Sequence, residues 1–586
     1  MNQHNSEFNI NKKDTNIFEN TSINNNNNDE KQSFKLYNIE RYETKLSLRK
    51  KKLNEKLLKR RIIDEQNIEN QKSQIDKFIL LNISFNELIS KIAVDYNDED
   101  KLIDLLNKIS YIIENKYRSK QAGINLIHNI YDFTGNDLIE NNWADNLCTL
   151  TKMYFKTKEV IKYVSRILLF SNLLINKDSE NNITENTCLE EKDMLNETGY
   201  FVSSDKYIDV YNKILEIYLK TDTQISYNMI IFIGNIANDN KNNQINLFLG
   251  GTLKYIIDSI DIEKDSKKIL EEKIWCLSKF DLCEKYEVNL DLSLSIQKIY
   301  LDIFLNKNKY ELLNTINQEI NENNFLFNYL KIIENTSYCI QDLFVENIIK
   351  SNILEFLMDN INVNNDPILL EIIIMILRNI TTTDFNIEKT LVTRIVKYLL
   401  NIINDKSIDV RLHYNSIVPI NNLIQNCKLW NFILFDLNAL KIFCNILNYD
   451  NINQNLYIEV CMGIEIGLDF CDNHLYNKLI DEYYIIQLIC KSFKQILSFN
   501  KTQIIKHQVF VIFCSFILSC LTNEDNGIME KVAKIFQNVG GEDILDNILN
   551  IYSNFKIDNS SKDEQEDINN IIELTEAISE ILKNYK

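Results

Sequence analysis

IIFIGNIANDN (230–240) is an apolar run that closes on a small or polar residue, then Asn, then another apolar residue. Three later stretches share this form: IWCLSKFDLC (274–283), IIMILRNITTTD (373–384) and IVPINNLIQN (417–426), the first of them with Lys in the Asn place. Asn235 and Lys279 stand 44 residues apart, and Asn379 and Asn422 stand 43 apart. A repeat of this length is one helical unit whose apolar face only its neighbour can cover. The chain therefore reads as a stack of helices with one continuous core.

The rest of the sequence agrees. Glycine (11) and proline (2) are scarce for 586 residues, and 45% of the chain is hydrophobic. Few turn residues and much apolar surface suit long helices joined by polar loops, with Asn and Asp at the joints. YIDVYNKILEIYL (207–219) puts Ile208, Tyr211, Leu215 and Tyr218 on one helical face. LLFSNLLIN (168–176) is a further unit end, followed by a polar, acidic stretch (177–205) read as a loop insertion. FQNVGGEDILDNIL (536–549) belongs to the last unit, with Gly540 and Gly541 at a helix-ending turn. INNIIELTEAISEILKNY (568–585) is a capping helix. A period in the low forties is that of armadillo or HEAT solenoids. The expected layout is a polar, disordered N-terminus (1–35), a basic segment (36–65), a linker (66–76), repeats (77–556), and an acidic loop with the capping helix (557–586).

Charge is unevenly spread. The formal net charge is −19, yet residues 41–61 carry ten Lys or Arg against two Asp or Glu, leaving −27 elsewhere. An acidic body repels phosphate, which argues against nucleic acid as a ligand and favours basic partners. The basic segment itself reads as a helix with Leu46, Leu53 and Leu57 on one stripe. The twelve cysteines form no CxxC pair, and the five histidines stand apart without an HExxH; no GxxxxGK or GxSxG occurs. The thiols read as reduced intracellular core residues, and neither an enzyme, a metal nor a cofactor is expected. VFVIFCSFILSCL (509–521) is shorter than the roughly 20 residues a membrane span needs and reads as a buried helix, so no membrane insertion is expected.

LRKKKLNEKLLKRR (48–61) resembles the importin-β-binding segment of the importin-α family: Leu-Arg-Lys, then Lys, then Glu, then Leu-Leu-Lys-Arg-Arg. GNIAND (234–239), WCLSKF (275–280), LRNITTTD (377–384) and NVGGEDILDNIL (538–549) follow in the family's order, so the resemblance spans roughly 33–585. The Arg-rich block usual before the basic run is absent; IERYETKLS stands there. The resemblance implies an all-α, right-handed armadillo superhelix with an N-terminal basic arm. It implies a nuclear-import adaptor shuttling between cytoplasm and nucleus, which holds basic localisation-signal peptides of cargo proteins and is carried by importin-β. An export receptor is a further partner it allows.

The same resemblance implies the site residues. Arg49, Lys50, Lys51, Lys52, Lys56, Leu57, Lys59, Arg60 and Arg61 would meet importin-β, or fold back as a tethered competitor for cargo, at an effective concentration near the millimolar range. In the cargo groove, family Trp residues hold the stems of basic side chains and Asn amides hold the peptide backbone. The Asn places correspond to Asn172, Asn235, Asn379 and Asn422. The Trp places four residues earlier hold Leu168, Ile231, Met375 and Val418; only Trp275 keeps its indole, and Lys279 follows it. Asp239 would pair with a cargo ammonium beside Asn235 and Trp275. So depleted a ladder also fits a second reading: an armadillo scaffold whose groove binds a partner other than a basic signal.

Overall fold

Asp366 accepts a hydrogen bond from the Ile368 N–H, and Pro367 takes the first helical position, where no N–H is needed. The same device opens other helices. Ser266 accepts from the Ile269 N–H, Asp472 from Leu475, and Asp525 from Gly527 and Ile528. In this computed structural model the described residues are 98–585, except 123–137, 139–142, 183–204, 240, 281–289, 307–323, 338–341, 383–386, 427–428, 451, 469, 500–505, 524 and 554–561. The segments 1–35, 36–65 and 66–76, with every basic residue assigned to importin-β, lie outside them.

The first helices are α1 (Glu99–Ala122), α2 (Trp143–Tyr154), α3 (Lys158–Asn182), α4 (Asp205–Tyr218), α5 (Thr223–Asp239), α6 (Lys241–Leu249), α7 (Thr252–Ser259) and α8 (Lys267–Ser278). Next come α9 (Leu290–Leu305), α10 (Phe325–Ser337), α11 (Asp342–Lys350), α12 (Ile353–Asn360), α13 (Pro367–Thr381), α14 (Lys389–Asn404) and α15 (Val410–Asn426). A π-helical turn (Phe432–Asp436) precedes α16 (Ala439–Leu447), α17 (Gln454–Leu468), α18 (Asn473–Asp481), α19 (Ile485–Phe499), α20 (His507–Leu521), α21 (Asn526–Asn538), α22 (Gly541–Ser553) and α23 (Lys562–Lys583).

Ten of these helices stack one on the next in a single row: α1, α3, α5, α8, α10, α13, α15, α17, α20 and α23. The other helices lie along this spine. The chain is an all-α solenoid, as its repeat length implies. Among the described residues, all five with positive φ join two helical segments ahead of a spine helix. They are Gly251 (φ 81°), Asn352 (58°), Asn438 (62°), Tyr484 (53°) and Gly540 (71°). Gly and Asn adopt this left-handed backbone readily; Tyr does so only under strain. The unit at these joints is thus helical segment, left-handed joint, helix, spine helix, an armadillo-type triplet.

The spine carries the core. From Ile225 to Ala237 nearly every residue of α5 is buried, and so are most of the apolar side chains of α20. Phe493 stacks on Phe513 with ring centroids 4.0 Å apart, tying α19 to α20. Each such side chain contributes roughly 1.5–3 kcal/mol when fully buried. No described helix is long and apolar enough to cross a membrane.

Two boundaries differ from the sequence expectations. Helix α3 continues to Asn182, so 177–182 are helical rather than loop. Helix α23 begins at Lys562, so 562–567 are helical rather than loop. It packs on α20 and α22 as the last member of the row.

Candidate functional site

The ladder positions lie on spine helices, near the C-terminal end of α5, α8, α13 and α15 and in the middle of α3. On α3 and α5 the residues are Asn172 and Asn235, 0% and 2% exposed. Both polar atoms of both amides are buried with no hydrogen-bond partner. Leaving a buried donor or acceptor unpaired costs about 1–3 kcal/mol, so these two side chains are a standing expense of the fold. The residues one turn earlier, Leu168 and Ile231, are buried too. Asp239 is the last residue of α5 and is half-buried.

On α8 the pair is Trp275 and Lys279. Trp275 is 2% exposed, and its six-membered ring lies on α5 at Gly234, where a Cβ would come within 2.3 Å of Cζ3. The glycine is there because the indole needs the room. Lys279 caps α8, its N–H bonded to the carbonyls of Cys276 and Leu277. Its side chain returns over the indole, with Nζ 5.6 Å from a ring centroid. That is within cation–π range. Trp275 therefore packs α8 on α5 and already has a cation of its own.

Further along the spine the amides are spent differently. Asn379, also buried, donates from Nδ2 to Ser337 Oγ of α10 at 2.7 Å. Asn422 donates from Nδ2 to Thr381 Oγ1 at 3.2 Å and to the Arg378 carbonyl at 3.4 Å, both on α13. The intervening helix α10 supplies Asn335, which sequence inspection passed over. Its Nδ2 donates to the carbonyls of Phe280 (2.8 Å) and Ser278 (3.4 Å) at the end of α8. Asn335, Asn379 and Asn422 thus tie each helix to the one before it. Where they bond carbonyls, they satisfy groups that a helix C-terminus leaves open.

The signal for Asn335 was present in KIIENTSYC (331–339), 44 residues before Asn379. Beyond Asn422 the ladder changes residue. Glu465 of α17 accepts from Ser515 and Ser519 of α20. Beside Asn422, Asn421 donates from Nδ2 to the Glu459 carbonyl (2.9 Å) and to Glu459 Oε2 (3.3 Å), while its Oδ1 is buried and unpaired. Burial pushes the Glu459 carboxyl above its ordinary range, against the pull of Asn421 and the Arg378 guanidinium. At the Trp places, Met375 and Val418 are half-buried aliphatic side chains. Trp143 and Trp430 are off the ladder: Trp143 donates to Ser171 Oγ at 3.0 Å, and Trp430 stacks on Phe470.

Similarity to known proteins bears on the fold alone. No protein-family model and no curated protein matches the chain. Among solved structures, an engineered protein is similar with a TM-score of 0.51 at 11% identity, over 85% of this chain and 98% of the other. A chain from a study of the phosphorylation-controlled interaction between cadherin and β-catenin aligns with a TM-score of 0.46 at 10% identity, over 86% of this chain and 91% of the other.

Proposed function

We propose that the chain is a nuclear-import adaptor of the importin-α kind, which holds an extended peptide along α3, α5 and α8. The observation that carries this reading is the pair of unpartnered amides, Asn172 and Asn235, in equivalent places on consecutive spine helices. An extended peptide offers an N–H and a C=O at each residue, and an Asn amide that turns out of its buried place can pair with both. Binding would then recover a cost that the unliganded fold carries. Asp239, at the end of α5, supplies a carboxylate for a lysine of that peptide. The basic segment 41–61, opposite in sign to the −27 of the remainder, is the handle for an importin-β-like carrier.

The test is direct binding of a fluorescent basic signal peptide to the full chain, followed by anisotropy. Micromolar or tighter binding is expected, with loss on Asp239→Lys. A chain that ignores the peptide, or an Asp239→Lys variant that binds it unchanged, overturns this reading.

A second reading is favoured by Asn335, Asn379 and Asn422, whose amides are committed within the solenoid. On it the protein is a scaffold that binds a partner other than a basic signal. Removing residues 1–65 separates the two. An adaptor with a self-competing arm gains peptide affinity, whereas a scaffold gains none.

A further inference from the structure

We infer that the open face of α13, α15 and α17 is a second docking surface, which takes an amphipathic helix of a partner protein with Lys or Arg along one edge of its apolar stripe. This goes beyond the peptide site proposed above and stands on different helices.

On each of these spine helices one narrow stripe escapes burial. Between Leu369 and Ile380 on α13, the residues that are not buried are Glu371, Met375 and Arg378. Between Ser416 and Ile424 on α15 they are Val418 and Asn422, and between Leu456 and Ile464 on α17 they are Glu459 and Met462. The three helices stack in that order. Asn422 reaches Arg378 and Thr381 on one side, and Asn421 reaches Glu459 on the other, so the stripes lie side by side. Met375, Val418 and Met462 form an aliphatic row across them, with Met462 36% exposed. Methionine adapts its shape to an incoming apolar group.

The occupant follows from the backbone and from charge. Asn379 and Asn422 donate to Ser337 and Thr381, so this stretch has no ladder of amide donors to spare for an extended peptide. A helix bonds its own backbone and needs only a face to lie on. Packed helices stand about 8–10 Å apart, and seven helical residues rise about 10.5 Å. One apolar residue per heptad therefore meets Met375, Val418 and Met462 in turn. Glu371 stands one turn before Met375, and Glu459 one turn before Met462. Between them on α15, Pro419 has no N–H to give the Asn415 carbonyl. Two carboxylates and a carbonyl thus line one edge of the row, and acceptors of this kind suit Lys or Arg. Arg378, one turn after Met375, marks the opposite edge and fixes which way round the helix lies.

The experiment uses the full chain and a labelled helical peptide of roughly 21 residues, with Leu once per heptad and Lys along one flank. Two controls exchange Leu for Ser, or the flanking Lys for Glu. Anisotropy should show saturable binding of the first peptide and at least about tenfold weaker binding of each control. The double variant Val418→Ser with Met462→Ser should weaken the first peptide by a similar factor. Glu371→Gln with Glu459→Gln should erase the preference for Lys over Glu, and circular dichroism identifies any variant that fails to fold. An extended basic signal peptide should not displace the helix. The inference is overturned if the first peptide does not bind, if either control binds as well, if folded variants bind unchanged, or if the signal peptide displaces the helix. A chain that binds the helix and ignores the signal peptide removes only the import reading.

Discussion

Asn172 and Asn235, in the first half of the spine, keep both polar atoms buried and unpaired. Asn335, Asn379 and Asn422, from the middle of the spine onward, donate to the preceding spine helix. The residue type and the register are the same; what differs is the end of the helix below. Behind Asn379 and Asn422 stand hydroxyls, Ser337 and Thr381, two residues after the previous ladder position. Behind Asn235 the corresponding residue, two after Asn172, is Leu174, which offers no side-chain partner. A small change in the neighbouring side chain thus decides whether an amide becomes a structural tie or stays unpaired. The first half instead joins its repeats by steric fit, at Gly234 and Trp275, and closes the turn between α7 and α8 with a buried ion pair.

That ion pair gives the largest expected effect. Lys273 of α8 is almost wholly buried and donates to Asp265 (2.8 and 3.0 Å) and to the Ser259 carbonyl (2.7 Å). Burial lowers the lysine's affinity for its proton, and Asp265 opposes this. Lys273→Ala leaves a part-buried carboxylate without its partner and should cost about 3–5 kcal/mol, read as a lowered urea midpoint by circular dichroism. A loss below 1 kcal/mol would mean that the pair holds nothing.

Gly234→Ala comes next. Glycine to alanine within a helix ordinarily stabilises by about 0.8–1 kcal/mol. Here the new methyl meets Trp275 at 2.3 Å, so a net loss of about 1–3 kcal/mol is expected, with a changed indole emission spectrum. A stabilised variant would show that the two helices can part without cost.

A smaller effect belongs to Asp222, which caps α5 by accepting from the Ile225 N–H at 2.8 Å and pairs with Lys158 at 2.7 Å. Burial raises its pKa, but the Ile225 N–H and the Lys158 ammonium more than offset this, and the net shift is downward. Its contribution is therefore present above the ordinary aspartate value and is lost as pH falls through that value toward the folded one. Asp222→Ala should cost about 1 kcal/mol at pH 7 and progressively less below pH 4, in urea titrations run at each pH. A pH-independent difference would contradict the assignment.

Much of the fold was legible in the sequence, and the site less so. The 43- and 44-residue spacings marked four of the spine helices, and Gly540 announced its own turn. Tyr484 could not have been read as a left-handed joint, because nothing in an aromatic side chain favours that backbone. Asn335 was missed because its distance from Lys279 is 56 residues, outside the period, even though its distance to Asn379 is within it. The extension of α3 to Asn182 was hidden by polar residues, which carry no helical stripe. Sequence also named Asn172, Asn235, Asn379 and Asn422 as one set. It could not divide them, because the division depends on which atom of the neighbouring helix lies within hydrogen-bond reach.

The most direct measurement compares two double variants of the full chain, Asn172→Leu with Asn235→Leu and Asn379→Leu with Asn422→Leu, for urea stability and for anisotropy with a basic signal peptide. The first should gain about 1–3 kcal/mol, by removing unpaired buried amides, and lose the peptide. The second should lose about 1–3 kcal/mol, by cutting two ties between repeats, and keep it. Equal stability changes in the two, or peptide binding that survives in the first, would contradict the division of the spine into a reserved half and a tied half.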